Sequence, residues 1–209
     1  MNVVGGAAVL DGKGRLDAAT EQALVEQCRR QNFEAFGLIV DAYQARIHGF
    51  VRRLVSSPEE AQDLTQETFI RAYQGFARFD GRSSLRTWLF RIAYNLCVDE
   101  LRRRDRSAVE LPLEGLNGDD APVDVADARW DPQAVLMNDE LRAAAEEGIA
   151  SMSEKLRSVL LLHDREGLAY NEIADLAGIP VGTVKSRLFL ARSHLKAHLL
   201  RYLKGEPGS

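Results

Sequence analysis

Cysteine is scarce in this chain: Cys28 and Cys97 are the whole complement among 209 residues. Two thiols so far apart build no disulfide framework, and both read as small buried apolar residues in a reducing compartment. Long apolar runs are also missing. The N-terminal MNVVGGAAVLDGKG has neither a basic start nor a hydrophobic stretch long enough for a signal peptide or an anchor. The expectation is therefore a cytoplasmic protein without membrane insertion. No segment of useful length alternates with a period of two, which argues against a sheet and for an all-α fold. A Gly-rich phosphate loop, a Cys-x-x-Cys pair and a supported Ser/His/Asp set are absent as well. Paired carboxylates fall only in the linker and on helix surfaces. No catalytic residue and no cofactor are assigned, and the chain is not read as an enzyme. His194 and His198 stand four apart on a helix, a spacing able to bind a metal. No Glu or Cys lies nearby in sequence to complete the set, so no metal is expected.

What is present is a strongly uneven charge. The net charge of −4 is low for a nucleic-acid binder, but it hides a pattern. From Arg82 to Arg106 seven arginines face three acids; from Ser107 to Ala150 eleven acids face two arginines; from Leu176 to Lys204 there are six bases and no acid. Two basic segments flanking an acidic one say more about partners than the total does.

Helical periodicity organises the rest. Residues 1–17 are Gly-rich and aperiodic, a tail. A first helix is predicted over Ala18–Gln31, and a second from Phe33 to Val55 with Phe36, Val40, Tyr43, Ile47, Phe50 and Leu54 inward. Ser57-Pro58-Glu59-Glu60 starts a third with a capping box. Its buried stripe is Ala61, Leu64, Phe69, Ala72, Tyr73 and Phe76, and Asp63, Gln66, Glu67, Arg71 and Gln74 lie on another face. Phe79-Asp80-Gly81-Arg82-Ser83-Ser84 breaks the helix, with a serine capping the next one. That helix, Leu85 to about Arg104, turns Trp88, Leu89, Ile92, Ala93 and Leu96 inward, so Trp88 reads as core. Arg86, Arg91 and Asn95 project elsewhere, and Arg102-Arg103-Arg104 close it. Aromatics interleaved with arginines between Asp63 and Arg106 suit single-stranded nucleic acid, because phosphates need cations and unstacked bases need flat surfaces.

Residues 107–130 lose all periodicity and read as an acidic flexible linker. A second small helical domain, 131–204, starts at Asp131-Pro132, with Met137, Leu141, Ala145 and Ile149 inward. Ser151-Met152-Ser153-Glu154 offers a capping box to a helix carrying Leu156, Val159, Leu160 and His163, and Gly167 stops it. A helix-turn-helix follows: Asn171–Ala177, the turn Gly178-Ile179-Pro180, then a long helix from Val181 with Val184, Leu188, Ala191, Leu195 and Leu199 buried. Thr183, Lys185, Ser186, Arg187, Phe189 and Arg192 spread over the remaining surface of its first turns, where a recognition helix meets the major groove. Residues 205–209 form a short tail.

These motifs, in this order, resemble the compact extracytoplasmic-function (ECF) sigma factors of bacterial RNA polymerase, in the sigma-70 family. DLTQETFIRAY resembles the family's core-binding helix, FDGRSSLRTWLFRIAYNLCVDELRRR its promoter-melting segment, and GLAYNEIADLAGIPVGTVKSRLFLAR its helix-turn-helix. The resemblance implies that Asp63, Leu64, Gln66 and Glu67 contact the coiled coil of the polymerase's largest subunit. It implies that Phe79, Asp80, Arg82, Ser83 and Ser84 capture a base flipped from the minus-ten element, with Arg86, Arg91, Asn95 and Arg102-Arg103-Arg104 on phosphates. Thr183, Lys185, Ser186, Arg187, Phe189 and Arg192 would read the minus-thirty-five element. The implied partners are core polymerase, including the flap of its second subunit, promoter DNA and an anti-sigma factor. The acidic linker would thread the polymerase's basic channels in place of RNA. Two residues depart from the pattern: Met152-Ser153 replaces a common Leu-Pro, and Leu190 stands where many relatives carry arginine. Two other functions are weighed against this one. A stand-alone helix-turn-helix regulator of duplex DNA has no use for the Asp63–Arg106 stretch, and a protein adaptor leaves the basic C-terminal segment unexplained.

Overall fold

The computed structural model describes residues 16–108 and 139–204, without the side chains of 105–108. The linker, the start at Asp131-Pro132, Met137 and the 205–209 tail lie outside the described residues. The chain divides into two compact units, Met1–Glu110 and Leu111–Ser209. Among the described residues every element is helical, in keeping with an all-α fold.

The first unit packs four helices: α1 (Ala18–Arg29), α2 (Phe33–Leu54), α3 (Pro58–Gly75) and α4 (Leu85–Ala108). Their boundaries follow local chemistry. Asp17, which the sequence gives to the tail, is the N-cap of α1, and its carboxylate accepts from Ala19 N and Thr20 N at 3.0 Å each. Leu16 beside it is buried. Asn32 caps α2 by accepting from Glu34 N and Ala35 N. Ser57 caps α3 through Glu60 N at 3.3 Å, but its own hydroxyl donates to Glu59 rather than closing a box with Glu60. The core gathers Ile39, Ile47, Val51, Leu89 and Phe90, and the Phe50 and Phe90 rings meet edge to face at 5.3 Å. Ile39 takes the fully buried place on α2 that periodicity gives to Val40, which is half-buried. On α3 the expected inward stripe is also adjusted: Tyr73 is 41 % exposed and Leu64 half-buried, while Thr65 and Thr68 are buried. Those threonines satisfy their hydroxyls on the Ala61 and Leu64 carbonyls one turn back, which lets polar residues face the core at little cost.

The second unit is built on α8 (Val181–Leu203), against which α5 (Asp139–Ala150), α6 (Glu154–Leu160) and α7 (Tyr170–Ala177) pack. The expected capping box at Ser151 does not form. Residue 153 is the N-cap of α6, and the Ser151 hydroxyl donates back to the Gly148 carbonyl. The α5–α6 turn is held instead by Arg157, which donates to the carbonyls of Ile149, Ala150 and Met152 at 2.6 to 3.0 Å. Burial lowers its pKa, yet three acceptors keep the guanidinium compensated. Leu161–Arg165 continues α6 as a π-helical turn. His163, expected to be packed, donates from Nδ1 to the Leu168 carbonyl at 2.8 Å and lies against the Tyr170 ring. Gly178, at φ 66, supplies the left-handed turn between α7 and α8.

Candidate nucleic-acid interface

Between α3 and α4 the chain makes a single 3-10 turn, Phe76–Arg78, and then the loop 79–84. Three aromatic rings anchor its entry. Phe79 lies 5.9 Å from Phe76 and 4.8 Å from Trp88, and Phe76 lies 5.2 Å from Trp88. Phe79 is 6 % exposed, so its ring belongs to the core and is not offered to a base from the loop's surface. Asp80 and Arg82 are exposed and Ser83 half-buried. The Asp80 carboxylate accepts from Arg82 N at 3.0 Å and pairs with the Arg82 guanidinium at 3.0 Å, and Gly81 at φ 76 makes the bend between them. Ser84 starts α4: its hydroxyl oxygen accepts from Thr87 N at 3.1 Å.

On α4, residues 91, 95 and 102 fall within about 40° of one another at 3.6 residues per turn. Asn95 and Arg102 are exposed; Arg91 is half-buried, with its Nε buried and without a hydrogen-bond partner. Arg86 does not stand on that face. It lies near enough to Tyr43 to act on that hydroxyl, as does Arg46. Burial chiefly, and then the charge of Glu21, push the Tyr43 pKa up, so the phenol stays a neutral donor to Glu21 at 3.0 Å. Arg103 pairs with Glu100 at 2.7 Å and Arg104 with Glu60 at 3.5 Å. The Arg103 and Arg104 side chains are 72 % and 44 % exposed, and pairs of this kind contribute little in water.

On α3, Asp63 and Gln66 are exposed, Leu64 and Glu67 are half-buried, and Glu67 pairs with Arg71 at 2.7 Å. Ile70 (51 % exposed) and Tyr73 continue this face, and Phe33 of α2 reaches the Tyr73 ring at 5.8 Å. The face is thus part apolar. Ile70 was legible as such, standing three and four residues beyond Glu67 and Gln66.

In the second unit Lys185 is exposed, and Thr183, Arg187 and Phe189 are half-buried on the first turns of α8. The other two expected readers serve the fold. Ser186 is buried and donates to the Thr183 carbonyl at 3.1 Å. Arg192 makes two hydrogen bonds to Asp164, at 2.7 and 3.2 Å, tying α8 to the π-helical turn. Leu190 is 47 % exposed, so an apolar side chain stands among the polar ones. Among the described residues no three His, Cys, Asp or Glu gather into a potential metal site, and no helix is long and apolar enough to cross a membrane.

Comparison with known proteins places both units. Residues 39–107 match the family model "Sigma-70 region 2" and residues 142–195 match "Sigma-70, region 4". The RNA polymerase sigma-H factor of Pseudomonas aeruginosa is 38 % identical over 189 residues, covering 88 % of this chain and 96 % of that protein. The chain belongs to the sigma-70 family, in its ECF group. The ECF sigma-E factor of Haemophilus influenzae is 36 % identical over 181 residues, covering 85 % of this chain and 94 % of that protein. The fold is shared with the sigma factor RpoE from Bartonella quintana, solved in complex with the anti-sigma factor NepR, at a TM-score of 0.59, with 79 % of this chain and 96 % of that one covered. In this sigma factor the region 2 match takes in α3, the loop and nearly all of α4, and the region 4 match takes in α6, α7 and most of α5 and α8. Helix α1 lies outside both, and its contribution escaped the sequence reading altogether. Arg29 donates to the Phe79 carbonyl and Glu21 accepts from Leu85 N, contacts spanning 50 and 64 residues that leave no local signal.

Proposed function

We propose that this sigma factor binds core RNA polymerase, brings it to promoters through two DNA elements, and starts strand opening without performing a covalent step. One observation carries the reading: an exposed Asp80–Arg82 turn leads through Ser83 and Ser84 into a helix with arginines and an asparagine on its open face, in a unit separate from the helix-turn-helix. A regulator of duplex DNA alone, even one using the first unit to dimerise or sense a ligand, has no use for that loop and helix face. Its workplace is then the cytoplasm, where the polymerase is.

In this mechanism Asp63, Leu64, Gln66 and Glu67 on α3 contact the coiled coil of the largest polymerase subunit, and region 4 meets the flap of the second. On α8, Thr183, Lys185, Arg187 and Phe189 face the minus-thirty-five duplex. Arginine there can hydrogen-bond a guanine edge with two donors, worth about 1–3 kcal/mol of discrimination. Asp80, Arg82 and Ser83 receive a base flipped from the minus-ten element, which offsets a stacking loss of a few kcal/mol. Arg91, Asn95 and Arg102–Arg104 hold the phosphates that position the strand without reading it. The acidic 107–130 linker would occupy the polymerase's basic channels, and an anti-sigma factor would compete for these surfaces.

Runoff transcription with purified core polymerase tests the whole. Promoter-dependent transcripts appearing only with this chain support it. Duplex binding without core and without transcripts would instead favour a stand-alone regulator.

A further inference from the structure

Helix α1 has no part in the mechanism above, yet it holds the base-receiving loop at both ends. At the entry, Arg29 Nε and Nη2 both donate to the Phe79 carbonyl, at 3.1 and 2.6 Å. A guanidinium carries its donors in one rigid plane, so two of them converging on one oxygen hold the Phe79 carbonyl in place. At the exit, Glu21 Oε1 accepts from Leu85 N, the first amide of α4, at 3.2 Å. The other oxygen of Glu21 is held by the Tyr43 hydroxyl at 3.0 Å. Residues 21 and 29 are separated by about 12 Å along the helix axis at 1.5 Å per residue. The loop is therefore strung along one helix. Gly81 passes close to it: a Cβ there would lie 3.7 Å from Arg29 Nη2. Between its two ends the loop has the Asp80–Arg82 turn and an ion pair whose arginine is 90 % exposed, contacts that contribute little in water.

We infer that α1 belongs to the strand-capture apparatus, with Arg29 and Glu21 as positioning residues that keep the loop preformed for the flipped base. A loop already in its receiving shape does not pay an ordering entropy on binding, and the gain appears as affinity for the unpaired strand. The inference rests on the loop's role proposed above.

The test uses holoenzyme and fork-junction promoter DNA with a single-stranded minus-ten segment, carrying either the natural base or an abasic nucleotide at the captured position. Arg29→Ala is expected to weaken binding to the natural fork by about tenfold, equivalent to 1.4 kcal/mol. Binding to the abasic fork, and affinity for core polymerase, should hardly change. Glu21→Gln should lose less, because its amide oxygen still accepts from Leu85 N. A general packing defect would weaken both forks alike, and that result overturns the inference. So does an Arg29→Ala holoenzyme that binds the natural fork like the parent. Should Arg29→Ala fail to fold, Arg29→Lys takes its place: one donor nitrogen in place of two should give an intermediate preference for the natural base, and parental preference overturns the inference. Arg82→Ala serves as the control on the underlying role. If Arg82→Ala leaves both forks unaffected, the loop's assignment fails, whatever Arg29 does.

Discussion

The two DNA-facing regions of this sigma factor are built on opposite plans. In region 2 the proposed binding surface is a loop and an exposed helix face, and the parts that shape them lie elsewhere: an aromatic cluster beneath and α1 alongside. In region 4 one helix does both jobs. Its outward turns carry Lys185 and Arg187, and the same turns spend Ser186 and Arg192 on holding the helix in place. A loop proposed to hold an unstacked base needs outside support, whereas a helix fitting a preformed groove is already rigid through its own hydrogen bonds.

That contrast can be broken most forcefully at Phe79. Phe79→Ala should cost the first unit about 3–5 kcal/mol, the usual loss for a buried aromatic truncated to alanine. Denaturant unfolding would reveal it; an unchanged midpoint with weakened strand binding would make the ring a base contact after all. In region 4 two arginines should separate by role. Removing the partner of one, Asp164→Ala, should cost about 2 kcal/mol of unfolding free energy, the scale of hydrogen bonds to a charged group. By contrast Arg187→Ala should weaken promoter binding by about 1–3 kcal/mol, concentrated at one base pair. A loss spread evenly over all sequences would make it a phosphate contact. Smaller still, Arg102→Ala should reduce affinity uniformly and flatten the log–log salt dependence by about 0.7–0.9, one counterion released fewer.

The smallest effect concerns α1 itself. The Asp17 carboxyl is held below its ordinary value of 3.8, first by the Thr20 hydroxyl and then by the Thr20 amide. Its contribution to capping is fully present above pH of about 4 and is lost as pH falls through the depressed value. Amide signals of Ala19 and Thr20 followed by NMR during acid titration should report that step. Asp17→Asn, which still caps, should abolish it.

Helix limits were legible because caps are local. Ser57 announces α3, and the Leu188, Ala191, Leu195 and Leu199 spacing orients α8. The candidate surfaces were legible for the same reason: basic residues cluster in sequence around the loop, α4 and α8. Less legible was the use made of individual side chains within them. A period tells which way Ser186, Arg192 or Tyr73 leaves its helix, but not whether another element covers that spot.

By itself the sequence determined the all-helical character, the order of the elements and the family, since capping, periodicity and motif spacing are properties of neighbouring residues. Only tertiary structure decided that Phe79 turns inward, that Asp164 claims Arg192, and that Arg29 and Glu21 brace a loop fifty or more residues away. The physical reason is range: a hydrogen bond closes over about 3 Å of space, and the packing of helices, not separation along the chain, sets which groups come that close.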